Sequence, residues 1–251
     1  MKKENYPIEE HKKIDDLNSL YDEWQKSLPE EQQEIFMRYG FYPHYFSMHP
    51  RVLFVAAEAT GENTFEYIDE LYNCYRNTKY VGTQPLNNYT FHRRILQMAY
   101  SILNKTDTNI PSASDLGDLL GKPDGISFAF KNISSALNQK TVYLDSELVG
   151  TSVEKGKQFF LREMEILDPQ IIILANIMTR KLDDGFFYDK LKLIPIERQV
   201  SEDICIHKGI LNNREIIGIE TYHFSATKSS KGGISDKEYF LSPILKYINQ
   251  I

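Results

Sequence analysis

The sequence predicts an α/β fold, a three-layer α/β/α arrangement around a central, mainly parallel sheet of about four strands. Two observations carry this. Four short runs, 52–57, 126–130, 171–175 and 216–222, are apolar at nearly every position instead of alternating, as parallel strands covered on both faces require. Stretches of helical periodicity separate the first three, and strand–helix alternation with right-handed crossovers builds a sheet buried between helix layers. With 251 residues, 41% hydrophobic and 25% charged, the chain can bury one sizeable core.

The elements follow in order. Within 8–39, Ile14, Leu17, Leu20, Tyr21, Trp24 and Leu28 fall on one helical face before Pro29 interrupts the pattern, which predicts two amphipathic helices. The aromatic run 41–46 is an ordered lead-in to the first strand. Helices are predicted over 65–77, 89–103 and 153–167, the last stopping at Asp168-Pro169. Segments 203–207 and 214–219 flank a Gly- and Asn-containing stretch suited to a hairpin that feeds the last strand. The expected organisation is a helical extension, 1–50, packed on an α/β domain, 51–251.

Composition narrows the chemistry. A net charge of −6 supplies no global basic field, so any nucleic-acid contact must come from a local patch. Cys74 and Cys205 form no C-x-x-C pair and cannot supply a four-cysteine zinc or iron-sulfur site, so no cofactor is expected. The N-terminus turns acidic where a signal peptide turns apolar, and no run reaches the length of a membrane span; a cytoplasmic monomer is expected. The stretch from Gly150 to Lys157 has five residues between its glycines where a phosphate loop needs four, and is rejected as one. His44 and His49 lack partners that would complete a metal set.

In an open parallel sheet ligands gather outside the carboxyl ends of the strands. The residues there are Ala57-Glu58-Ala59-Thr60-Gly61, Lys131-Asn132, Asn176 and Tyr222-His223-Phe224-Ser225. In order and spacing they resemble the uracil-DNA glycosylase superfamily, nearest the branch whose first motif reads G-E-A-P-G. The first segment looks like that motif with Ala for the first Gly and Thr60 for Pro. His223-Phe224-Ser225 looks like the second motif, H-P-S, with Phe for Pro, and Asn132 matches the strand-end Asn that reads a flipped pyrimidine. The resemblance implies a cluster-free relative, since the branch's four cysteines are missing.

It also implies roles. Cleaving a deoxyribose–pyrimidine bond builds positive charge on the sugar and negative charge on the base, so two opposite stabilisers are needed. Glu58 would stabilise the cation or orient water, and His223 would donate to the base oxygen. Asn132 would read the base edge, since an amide pairs at once with an N–H and a carbonyl. Phe65 would stack on the base. DNA would be held by Ser225, Lys228 and Lys231 after the second motif and by Arg93 and Arg94 on a helix. Structural readings stand beside these: Glu58 as a helix cap, His223 bonded to a carbonyl, Asn132 as a turn residue, Arg93 and Arg94 as a solvated helix face.

The expected function is hydrolysis of the N-glycosidic bond of uracil or another modified pyrimidine in single- or double-stranded DNA, in repair or antiphage defence. A pocket for a bulky modified phage base, an inactive binding module on the same fold, and a nucleoside or nucleotide hydrolase are the alternatives.

Overall fold

The computed structural model describes residues 1–61, 66–139, 144–201, 204–226 and 240–248. Among these the central sheet has seven strands: β1 (Gly40–Phe41), β2 (Val52–Ala56), β3 (Ala129–Asn132), β4 (Ile171–Ala175), β5 (Ile194–Ser201), β6 (Ile204–Leu211) and β7 (Arg214–Thr221). Their spatial order is β1-β3-β2-β4-β7-β6-β5. β3, β2, β4 and β7 are parallel neighbours and form the centre, but the sheet as a whole has seven strands where about four are expected from the sequence. β1, β6 and β5 extend it antiparallel at the two edges.

The extra edge strands lack the continuous apolar signature. β1 has only two residues; β5 carries Pro195, tolerated at an edge where its missing N–H is not needed, and leaves Ile194 and Ile196 exposed. The β6–β7 hairpin forms as expected. Its two-residue turn, Asn212-Asn213, has both φ values positive, at 50° and 57°, the geometry that matches strand twist and that Asn tolerates.

Alternation along the strands sorts the core into two layers. Phe54, Phe130, Ile173 and Ile219 pack against α2 (Tyr67–Asn73), α3 (Thr90–Asn104), α4 (Ala113–Leu119) and α7 (Ser242–Ile248). Leu53, Val55, Ile172 and Leu174 face α1 (His11–Ser27), α5 (Ser146–Leu167) and α6 (Phe186–Leu191) on the other side. Helices α1 and α5 approach so closely that a Cβ on Gly156 would lie 2.4 Å from the Trp24 ring. No helix among the described residues is long and apolar enough to cross a membrane.

Four expectations change. The 8–39 region holds one 17-residue helix and a single turn, Glu30–Gln33. Beyond it the chain runs extended, its Met37 N–H reaching Ser135 O at 2.7 Å, and enters the sheet as β1. Segment 1–50 therefore supplies a sheet strand as well as a packed helix. The second predicted strand, 126–130, shifts to Ala129–Asn132 because Ile126 is drawn into backbone bonds with Leu119 and Gly121 beside α4. This moves Lys131 and Asn132 into the strand. Helix α5 begins at Ser146 instead of Val153, its start fixed by Asp145, whose side chain accepts the Leu148 N–H at 3.0 Å. The glycines 150 and 156 thus lie within a helix.

Candidate active site

Glu58 follows β2 by two residues, half-buried. Its Oε1 accepts the Asn138 Nδ2–H and the Asp145 backbone N–H, each at 3.0 Å. The second bond brings the N-terminal end of the 22-residue α5 to the carboxylate, where the helix dipole favours negative charge. Oε2 is buried without a hydrogen-bond partner among the described residues. Burial raises the carboxyl pKa, and the Asn138 and Asp145 bonds oppose the rise. Thr60, where the related motif has Pro, is exposed, and Ala59-Thr60 pairs in parallel with Leu137-Asn138. That strap holds the motif against the segment that supplies Asn138.

Asn132 ends β3, with its backbone paired to Ala56 of β2. It is only 2% exposed; Nδ2 donates to the Tyr39 hydroxyl at 3.0 Å, while Oδ1 is buried without a partner among the described residues. The Ile133 and Ser134 N–H groups bond to Ala56 O and Ala57 O, so the amide and the carboxylate stand on adjacent chain segments at the ends of neighbouring parallel strands. Burial drives the Tyr39 pKa upward and keeps it neutral. Aromatic rings continue from there. Tyr39 lies 5.2 Å from Tyr67, which stacks on Phe130 at 4.9 Å and 10°; Phe91 meets Phe130 at 6.1 Å.

His223 lies beyond the end of β7, and Phe91 links it to this group with ring centroids 5.7 Å apart. Its imidazole is exposed on one side. Nδ1 accepts the Ser225 N–H at 3.2 Å, which places the proton of the neutral ring on Nε2 and leaves an N–H available to donate. Enclosure by protein lowers its pKa, and the positive charges of Arg180 and Arg94 lower it further. The ring is thus a neutral donor at pH 7. Phe224, in the place of the motif's Pro, is fully buried against Phe54 and Phe91 and anchors the turn from beneath.

The expected DNA contacts divide. Ser225 is exposed and Arg93 half-exposed, its Nη1 donating to Asn87 O at 3.3 Å. Arg94 was expected on the same solvated face but is 3% exposed, because its neighbours on α3 turn that side of the helix into the core. It donates to Phe224 O and to Ala226 O. Phe65, Lys228 and Lys231 lie outside the described residues. Tyr39, Tyr67, Phe91 and Arg180 were not singled out from sequence. The 41–46 aromatic run drew notice, whereas Tyr39 just before it reads only as another apolar position.

On the opposite face of β7, Glu220 is 4% exposed, accepts the Thr179 N–H at 3.1 Å through Oε1, and has no partner on Oε2 among the described residues. Burial pushes its pKa up to about 7 from 4.5. A raised carboxyl pKa gives stability that is complete below the unfolded value and is lost as pH climbs through the folded one. Glu220→Gln keeps the acceptor and removes the charge. It is expected to raise stability by roughly 3 kcal/mol at pH 8, falling below about 1 kcal/mol at pH 5. Urea unfolding midpoints at the two pH values measure this, and equal gains at both would refute it.

Among the described residues no group of three His, Cys, Asp or Glu side chains gathers as a metal site. A scan against models of known protein families finds no match, and a search of curated proteins finds no relative for this chain.

Proposed function

We propose that this chain is a DNA glycosylase that hydrolyses the N-glycosidic bond of uracil or another modified pyrimidine, leaving an abasic site. One observation carries the reading: Glu58 Oε2 and Asn132 Oδ1, at the ends of neighbouring parallel strands, are buried polar atoms without partners among the described residues, and Asn132 lies beside a cluster of rings. Such groups cost free energy in the resting protein and are kept where a ligand completes them. A flipped base would take the amide's acceptor and lie among the rings. The sugar would present its developing positive charge to Glu58.

The steps follow from the atoms available. As the C1′–N bond breaks, its electron pair moves onto the base, and the His223 Nε2–H hydrogen-bonds to the base oxygen that gains charge. Water then attacks C1′, with Glu58 Oε2 accepting its proton. Glu58 must be ionised and His223 neutral, so activity is lost as pH falls, with the raised carboxyl pKa moving its share of that loss to higher pH and the lowered imidazole pKa moving its share to lower pH.

The test uses single- and double-stranded oligonucleotides carrying uracil, hypoxanthine, thymine mismatches and hydroxymethylated or glucosylated cytosine, followed by alkaline cleavage of abasic sites. Scission on one substrate class is the expected result and names the base. Intact strands in every lane with salt-sensitive DNA retention would replace this reading with a binding module.

A further inference from the structure

The turn that carries His223 is short and closed on itself. Ala226 N–H bonds to His223 O at 2.7 Å, and Ser225 N–H bonds to the His223 ring. What fixes the turn relative to the sheet is one face of α3. Phe91 lies against the imidazole and against Phe224, and Arg94, one helical turn further along, reaches the carbonyls of both Phe224 and Ala226 with the same Nη1. The guanidinium also rests on the Phe240 ring, 3.9 Å from its centroid, the first described residue after 226. A guanidinium is planar and keeps its charge when buried, so it can lie flat on a ring while its N–H groups reach the two carbonyls in a fixed geometry.

We infer that Arg94 is a positioning residue for His223, clamping the 223–226 turn so that the imidazole is held at a fixed place over the candidate site. The kinetic side of this inference rests on the glycosylase reading; the structural side does not. Among the described residues, Arg94 from α3 and Arg180 from the segment after β4 are the charged groups acting on the ring, both positive. Loss of the clamp therefore has an electrostatic signature as well as a geometric one.

Two full-length variants separate these effects. Arg94→Lys keeps the charge and loses the planar guanidinium; Arg94→Met keeps the apolar stem and loses both. In substrate-free protein, NMR titration of the His223 ring is expected to show a higher pKa in Arg94→Met and a value near wild type in Arg94→Lys. The Ser225 amide resonance is expected to shift in both. On the substrate identified by scission, both variants are expected to slow single-turnover excision by about 10-fold to 10²-fold, with half-saturating DNA concentration changed less than about threefold. The acid limb of the rate profile should move upward in Arg94→Met alone. A structural role without positioning would leave that limb and the imidazole titration in place, and this result, or rates within twofold of wild type in both variants, overturns the inference. If the wild-type chain excises no base, the glycosylase reading fails by itself, and the NMR arm decides the clamp: unmoved His223 and Ser225 signals refute it. Should Arg94→Met not fold, Arg94→Lys carries the amide-shift and rate comparisons.

Discussion

Glu58→Gln is expected to lower single-turnover base excision by about 10² or more while leaving DNA affinity within a few-fold of wild type. The substitution is nearly isosteric, and one amide oxygen can still accept the Asn138 Nδ2–H and Asp145 N–H that now meet Oε1. The strap between 59–60 and 137–138 should therefore survive. What disappears is the negative charge beside the developing oxocarbenium and the proton acceptor for water, worth about 2.7 kcal/mol of transition-state stabilisation at a hundredfold loss. Wild-type excision should also rise with pH through the acid range, because Glu58 titrates above 4.5 and His223 below 6.5 and both must be deprotonated. A variant rate within threefold of wild type would leave Glu58 as a partner of the α5 N-terminus and nothing more. That structural role is present, since the helix it meets is α5, although no sequence pattern links the two.

The second large effect concerns stability. Lys131 and Glu163 form an ion pair at 2.7 Å with both side chains 0% exposed, and the Tyr21 hydroxyl donates to the other Glu163 oxygen. Trp24 and Phe160 rings stand 4.9 and 4.8 Å from the ammonium. Burial lowers the Lys131 pKa, and the Glu163 charge opposes the fall. Removing one partner leaves the other charge stranded in a low-dielectric interior. Lys131→Met is expected to cost about 3–5 kcal/mol, read from urea unfolding, and Lys131→Met combined with Glu163→Gln to recover most of it. Equal losses in the single and double variants would show that packing and not charge sets the cost. Because Lys131 precedes Asn132 on β3 with its side chain on the opposite face, this pair also holds the strand end from which Asn132 reaches the candidate site.

Much of this architecture could be read in the chain. β2 and β4 announce themselves because a strand covered on both faces is apolar at every position, whereas β3 is displaced by its polar end, Lys131-Asn132; Asn212-Asn213 marks its hairpin because few residues accept two successive positive φ values. Glu58, Asn132 and His223 stand out by position, at strand ends, and the structure sets the first two beyond the ends of adjacent parallel strands. Arg94 was misread since helical periodicity cannot distinguish a solvated arginine from one that meets carbonyls 130 and 132 residues away. Edge strands β1 and β5 went unseen for a related reason: their pairing is decided by the neighbour they meet.

The sequence by itself determined the layered α/β core, the strand ends where chemistry can occur and the residue types waiting there, because burial periodicity and turn geometry are local. Only the tertiary structure decided that Tyr39 orients Asn132, that α5 points its amino end at Glu58, that Lys131 and Glu163 neutralise each other, and that Arg94 grips the His223 turn. Those contacts join segments dozens of residues apart. Their energies depend on distance and desolvation in the folded core, which linear spacing does not encode.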